Sequence, residues 1–483
     1  MKRYLYLWHR WLGIVTCVFM ALWFVSGMVM LYVGYPKLTP REHLAHLPAL
    51  SAQGCCVSLG EALAVADPQP ARIRLSSVAG QALYLFDYAS GKALAVDATS
   101  GQRIAPTTRE RALASAGQYD PHAPLTYRDA VQEDLWSHSR ALDAHRPLHR
   151  VQLSDTDGTL LYISGQTGEV VRDASASERG WNLIGAWLHW LYPLRGIGLD
   201  GLWSNLVIYL SLAASVMALL GAVVGVMRWR FSRPYRSGSR SPYKGWARWH
   251  HVGGLLFGAL AITWIFSGLM SMNPWRLFSS AQPLDTSAYQ GGPLNAAAFP
   301  LSVPQALARF ADKGFTAREL EWRLIGGAGY VVGQDGAGRT RVLSMHDGQV
   351  LQRLPRAVLE QAARAIGPAM QVQQLEAYDF YYYARAEQSM LGHLEKRLPV
   401  LRVRFDDPAQ TWLHLDLYTG EVLGQLDQPR RASRWLFALL HSWDWLPLLT
   451  RRPLWDGWMI VLSLGGLVLS VSGVVMGWRR LRR

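Results

Sequence analysis

The chain has 483 residues, of which half are apolar and 17% charged, with a net charge of +14. Its mean hydropathy is near zero, yet the apolar residues gather in blocks with long polar stretches between them. That pattern excludes both an ordinary soluble protein and a wholly membrane-buried one. Much of the positive charge flanks the apolar blocks, which favours a lipid surface over nucleic acid as the partner. Three cysteines and no Cys-x-x-Cys-His exclude a disulfide framework and covalent c-type haem attachment. Cys55 and Cys56 are adjacent and read as ordinary thiols.

The first apolar block has no charge from Trp11 to Tyr35. It is longer than a signal-peptide core, lacks a small-residue cleavage site and is expected to stay as a span over 8–35. Residues 36–180 then form an α+β domain. A helix is predicted over Ser58–Ala66, strands over Arg72–Ser77, Ala82–Tyr88 and Lys92–Asp97, and a second helix over Thr108–Gly117. Further on, Leu160–Ser164 leads through Gly165-Gln166-Thr167-Gly168 into Glu169–Arg172. An interfacial helix is expected over 181–200, a second span over 203–229, a basic loop over 230–248 and a third span over 249–275. A second α+β domain follows over 276–432, with helices at Ser302–Ala311 and Arg356–Ile366 and strands at Thr411–Leu417 and Glu421–Gly424. Another interfacial helix (433–450) and a fourth span (456–478) complete the chain.

Positive charge sets the orientation. Lys2 and Arg3, the seven cations Arg228, Arg230, Arg233, Arg236, Arg240, Lys244 and Arg248, and the closing Arg479, Arg480, Arg482 and Arg483 all belong on the cytoplasmic side. Both termini are then cytoplasmic, and the two long segments lie in the periplasm of a bacterial inner membrane.

The halves repeat. Trp8-His9, Gly13, Trp23 and Ser26-Gly27 align without gaps on Trp249-His250, Gly254, Trp264 and Ser267-Gly268. A second block aligns Thr167-Gly168-Glu169-Val170 with Thr419-Gly420-Glu421-Val422, Leu188-His189 with Leu440-His441 and Leu202-Trp203 with Leu454-Trp455. The fold class expected is a four-helix transmembrane bundle with internal duplication plus two periplasmic α+β domains.

Ionisable residues beside spans are costly and mark functional sites. His9 and His250 sit near the cytoplasmic ends of spans one and three. His189 and His441 sit before spans two and four on the outer side. Each pair is repeat-equivalent, which suits one bis-histidine haem near each face. Gly13 and Gly254 stand four residues after His9 and His250, on the same helix face, where a glycine leaves room for a macrocycle. Gly185, four before His189, offers the same device, but Phe437 stands at its counterpart. His251 competes with His250 as the cytoplasmic ligand. The competing account of each histidine is an interfacial side chain, in the manner of a tryptophan.

The opening His9-Arg10-Trp11-Leu12-Gly13, the Trp-x-x-Ser-Gly at Trp23–Gly27, the repeated Thr-Gly-Glu-Val and the terminal region Gly473–Arg480 together resemble the PepSY-associated transmembrane family. The likeness runs over nearly the whole chain. It implies two PepSY-like outer domains and a relation to inner-membrane ferrisiderophore reductases of the Fox type, which hold two b-type haems. The implied activity is electron transfer from a quinol or a cytoplasmic reductase to a periplasmic acceptor such as a ferric siderophore. Of the other candidates, His138, His145 and His149 cluster in the first outer domain and could bind a metal. The run Tyr378–Tyr383 reads as buried strand aromatics. A rival reading is a non-enzymatic membrane protein that binds a periplasmic partner. A proton- or ion-coupled transporter is disfavoured, because no charge interrupts any of the four apolar stretches.

Overall fold

The computed structural model describes residues 2–195, 200–280, 283–367, 369–390, 392 and 394–483. Positions 196–199 of the expected interfacial segment 181–200 lie outside the described residues. Four helices are long and apolar enough to cross a bilayer. They are Lys2–Met30, Asp200–Arg228, Trp246–Ser271 and Leu454–Leu481. The first ends five residues before the expected boundary. Pro36 disfavours helix at the residue before it, and the chain turns out through Leu31–Gly34.

The first helix packs on the second and the fourth, and so does the third, which closes a four-membered bundle. Its interior is built from Cys17, Met20, Phe24, Ala214, Met217, Ala261, Ile265 and Leu469. Gly465 and Gly466 let the fourth helix approach closely, since a Cβ on either would collide with the rings of Phe257 and Phe24. The outward surface keeps Val18, Leu256, Val461 and Val468 exposed, Leu256 at 72%. A continuous apolar belt of this kind is stable only against lipid, and helices satisfy their own backbone there. The chain is therefore a membrane protein.

Fifteen strands form the remainder. They are β1 (Arg72–Val78), β2 (Gln81–Asp87), β3 (Ala93–Asp97), β4 (Leu125–Val131), β5 (Leu148–Leu153), β6 (Leu160–Ser164), β7 (Val170–Ala174), β8 (Glu319–Ile325), β9 (Ala328–Gln334), β10 (Thr340–Ser344), β11 (Val350–Leu351), β12 (Ala369–Leu375), β13 (Val400–Phe405), β14 (Trp412–Asp416) and β15 (Val422–Leu426). Two four-stranded antiparallel sheets, β4 to β7 and β12 to β15, correspond in order between the halves. The remaining strands make one seven-stranded sheet ordered β11-β10-β9-β8-β1-β2-β3. The two extramembrane segments thus share a sheet. Its seam is the antiparallel pair β1–β8, where Ile73 faces Trp322 and Leu75 faces Leu320. One core runs under both, with Ile73, Leu75, Tyr84 and Phe86 packed among Phe310, Leu320, Trp322 and Val331. Short helices cover it, and each starts where the sequence places a cap. Ser58 and Ser302 close capping boxes with Glu61 and Gln305, and Thr108 caps Arg109–Tyr119.

A buried charge cluster pins the third layer to this seam. Arg74 of β1 donates to Glu169 at 2.9 Å and to Glu319 of β8 at 3.3 Å, and all three side chains are at most 10% exposed. Glu169 belongs to the Thr-Gly-Glu-Val turn, in which Gly168 takes φ +81°. Its repeat partner Glu421 stays exposed and lies 3.6 Å from Arg323 of β8, so the second copy of the motif also meets the seven-stranded sheet, without a buried charge cluster. Cys55 and Cys56 are bonded to each other across a cis peptide, which corrects the reading as ordinary thiols. Tyr378–Tyr383 forms a loop between β12 and β13, not a strand. Asp379 accepts from the backbone N–H groups of Tyr381 and Tyr382 and bends the run, leaving Tyr382 buried and Tyr378 exposed.

Burial alone would raise the Glu169 and Glu319 carboxyls, but Arg74 holds both below their ordinary value. Their contribution to stability is complete above the ordinary glutamate range near 4.5 and is lost as the pH falls through the lowered folded values. Arg74→Ala removes the guanidinium the two buried carboxylates share and leaves Glu319 only His43 at 3.5 Å and Glu169 only the Thr167 hydroxyl at 3.0 Å, which costs about 3 kcal/mol. The expected readout is earlier thermal unfolding and faster proteolysis within the sheet layers, with the membrane helices still protected.

Candidate functional site

Two pairs of imidazoles meet inside the bundle. His9 and His250 face each other with ring centroids 6.1 Å apart, and His189 and His441 do so at 6.1 Å. His9 belongs to the first span and His250 to the third. His189 follows a π-helical turn at Leu183–Trp187, and His441 follows one at Arg434–Leu439. Seventeen residues of helix separate His9 from Ser26, the residue that touches His189. At 1.5 Å per residue that places the pairs about 25 Å apart, close to the depth of a bilayer's apolar core.

Each ring is anchored through Nδ1. His9 Nδ1 lies 3.1 Å from the Met217 carbonyl, and His250 Nδ1 lies 3.1 Å from the Leu469 carbonyl. A carbonyl only accepts, so Nδ1 carries the proton in both. His189 Nδ1 meets Ser26 Oγ at 3.0 Å, and His441 Nδ1 meets Ser267 Oγ at 3.0 Å. Those hydroxyls already donate to carbonyls of their own helix, Ser26 to Leu22 and Ser267 to Trp264, so they accept from the imidazoles. In all four rings Nε2 is then the unprotonated nitrogen. Met217 and Leu469 are repeat-equivalent, as are Ser26 and Ser267. The Nδ1 anchors are twofold, but His250 Nδ1 also meets Ser472 Oγ at 3.1 Å, and Trp23 donates Nε1 to the His189 carbonyl at 2.9 Å where Trp264 Nε1 has no partner.

These residues suit a shared metal. Two imidazoles, each bound through one nitrogen at about 2.0 Å, stand with centroids roughly 6 Å apart. Fixing Nδ1–H on a backbone or hydroxyl oxygen is the usual way to orient such a ligand. Every one of the four rings also keeps accessible surface inside the bundle, being half-buried rather than buried.

Small residues flank each ring, and they are not the expected ones. A Cβ at Gly13 would touch nothing nearer than 4.0 Å, and one at Gly254 would meet only Leu469. The glycines against the imidazoles are Gly221 for His9, Gly473 for His250, Gly27 for His189 and Gly268 for His441. Gly221 and Gly473 lie on the neighbouring helix, so i, i+4 spacing along one helix misses them. They are repeat-equivalent at the same offset as His189 and His441, a signal present in the sequence. Gly185 is corrected too. It lets the turn before His189 approach Val29 of the first span, where a Cβ would come within 3.0 Å. Its counterpart Phe437 packs 5.4 Å from the His441 ring.

His251 has a protein partner on each ring nitrogen. Its Nε2 donates to the Gly225 carbonyl at 2.8 Å and its Nδ1 accepts from Ser241 Oγ at 2.7 Å. Both nitrogens are spent, and the buried ring ties the basic loop to the bundle between Tyr243 and Trp229. The histidines of the first sheet segment do not converge. His138 pairs with Glu133, His145 Nδ1 meets Ser164 Oγ at 3.1 Å, and His149 Nδ1 meets Tyr127 Oη at 2.9 Å. Burial pushes His145 and His149 below the ordinary histidine value. Among the described residues no group of three or more His, Cys, Asp or Glu side chains is placed to hold a metal ion. Arg10, Arg248 and Arg451 are exposed, while Arg195 pairs with Glu133 and lies over Trp203.

The glycine contacts separate two classes of substitution. A Cβ at Gly221 would lie 2.6 Å from His9 Cε1. Gly221→Ala is expected to lower the thermal midpoint of the purified protein by an overpacking cost of about 1–3 kcal/mol. Gly13→Ala, with open space and a better helix former, is expected to hold or raise it.

No curated protein matches the chain. A family model described as the PepSY-associated TM region matches residues 6–359, and by that match, over more than half its length, the chain belongs to the PepSY-associated transmembrane family.

Proposed function

We propose that the chain is a di-haem b reductase of the bacterial inner membrane. It passes electrons from the cytoplasmic or quinol side to a periplasmic acceptor, a ferric siderophore in iron uptake. In this reading His9 and His250 hold one haem b, and His189 and His441 hold the second. Haem b held by the two imidazoles of a pair would supply one-electron chemistry there, suited to outer-sphere transfer. The observation that carries the reading is the pair of facing imidazoles at each end of the bundle, each with Nδ1 anchored and Nε2 free.

The residues do the rest. The Met217 and Leu469 carbonyls and the Ser26 and Ser267 hydroxyls hold the rings in one tautomer and one orientation. The bundle's apolar interior excludes water and keeps a low dielectric around the site. The cationic ends of the helices set the His9 pair on the cytoplasmic side, and the sheets then lie in the periplasm. The repeat makes the two halves products of one duplicated unit. A quinol as donor releases two electrons and two protons, enough to reduce two ferric ions to ferrous. Ferrous iron binds hard oxygen donors less tightly, so reduction favours release of the metal.

Purified in detergent, the protein is expected to show b-type Soret and α bands that sharpen with dithionite. Loss of one haem equivalent is expected in His9→Ala or His250→Ala, and of the other in His189→Ala or His441→Ala. His251→Ala is expected to keep both. A colourless wild-type protein refutes the proposal and leaves a membrane protein that binds a periplasmic partner.

A further inference from the structure

The two imidazole pairs have the same centroid separation but different angles. The ring planes of His9 and His250 are inclined at 38°, and those of His189 and His441 at 71°. Each pair joins repeat-equivalent histidines, so the duplication gives no reason for one pair to be crossed more than the other. The reason lies in what supports each ring.

At the inner end the supports match. Both rings stand on spans, both hand Nδ1–H to a backbone carbonyl, Met217 or Leu469, and both lie against a glycine of the neighbouring helix. At the outer end they differ. Trp23 donates Nε1 to the His189 carbonyl at 2.9 Å and fixes the backbone that carries that ring, whereas Nε1 of its repeat partner Trp264 has no partner. Phe437 packs 5.4 Å from the His441 ring at 42°, whereas its counterpart Gly185 is turned against Val29 of the first span. The outer rings are thus turned by different neighbours and come to rest crossed.

Ring planes matter to a metal that two imidazoles share. Near-parallel rings donate π density into one d orbital of low-spin iron, which splits the d orbitals and stabilises the ferric state. Crossed rings donate into two, leave them nearly degenerate and favour the ferrous state by comparison. The anchors act in the same direction. A backbone carbonyl is a stronger acceptor than a serine hydroxyl, so it makes the inner imidazoles more basic, and Ser472 Oγ adds a second acceptor for His250.

We propose that Trp23 and Phe437 are positioning residues that hold the outer pair crossed, and that the two sites are electronically unequal for that reason. The His9–His250 site has the lower reduction potential and the His189–His441 site the higher. The inference rests on the reductase reading and deepens it, because the ring geometry then supplies the driving force toward the outer pair.

The test uses the full chain purified in detergent, with haem content measured first. Absence of haem sinks the reductase reading and this inference with it; every later outcome bears on the ring geometry alone. Electron paramagnetic resonance of the oxidised wild type is expected to show two low-spin ferric signals. A rhombic one is expected to vanish in His9→Ala, and a highly anisotropic one at lower field in His189→Ala. Redox titration followed in the α band is expected to give two midpoints, the upper one absent from His189→Ala. Their separation is expected to favour the electron on the outer site by tenfold or more, about 59 mV for one electron. Phe437→Leu and Trp23→Phe are each expected to move the anisotropic signal toward the rhombic type and lower the upper midpoint, with haem content and the inner signal unchanged. Phe437→Tyr, which keeps the ring, is expected to keep both. Two signals of one type, a higher midpoint at the His9 pair, or an unchanged outer signal in variants with full haem content overturns the proposal. The wild-type spectrum and titration decide it even if a variant does not fold.

Discussion

Each of the four facing imidazoles commits one nitrogen to an oxygen on a neighbouring helix, and much of the bundle's geometry follows from that commitment. The Met217 and Leu469 carbonyls are already acceptors within their own helices, yet a carbonyl has two lone pairs and takes the extra Nδ1–H without breaking the ladder. Ser26 and Ser267 return their own protons to the helix and accept from the rings. Fixing Nδ1 leaves Nε2 as the unprotonated nitrogen of each ring. The rings then demand close helix approach, and glycine supplies it at Gly221, Gly473, Gly27 and Gly268. Polar anchoring and small-residue packing are one solution to one problem, since burying four imidazoles in an apolar bundle requires every donor to find a partner.

The sheets solve a different problem. Two segments separated by two spans and a basic loop become one body because β1 and β8 pair edge to edge and bury a common core. An unpaired edge at either strand would expose backbone donors and acceptors, so each segment completes the other. Arg74 then ties the four-stranded sheet carrying Glu169 onto that seam. The consequence for function is positional. The sheets lie over the His189 end of the bundle, and a cavity there is lined by both extramembrane segments and the first span. No comparable layer covers the His9 end, where the basic loop is held by His251 and Ser241.

The repeat is close to twofold at the histidines and departs from it at the periphery. Glu169 is an interface residue and Glu421 a surface one. Gly185 admits close packing where Phe437 stacks on an imidazole. The cavity over the His189 end is lined mainly by the first segment. Symmetric positions carry what both faces of a membrane need in common.

The sequence by itself determined the four spans, their boundaries to within a few residues, the capped helices at Ser58, Thr108 and Ser302, and the pairing of His9 with His250 and His189 with His441. Those features rest on local composition, on capping chemistry and on repetition, all of which are written along the chain. Only the tertiary structure decided between His250 and His251, because adjacent residues on a helix differ in direction and their partners lie on other helices. It alone brought Gly221 and Gly473 against the imidazoles of His9 and His250, since those contacts cross between helices and no spacing within one records them. It alone joined β1 to β8. Pairings between residues hundreds of positions apart depend on how edges and charges meet in space, which no local pattern encodes.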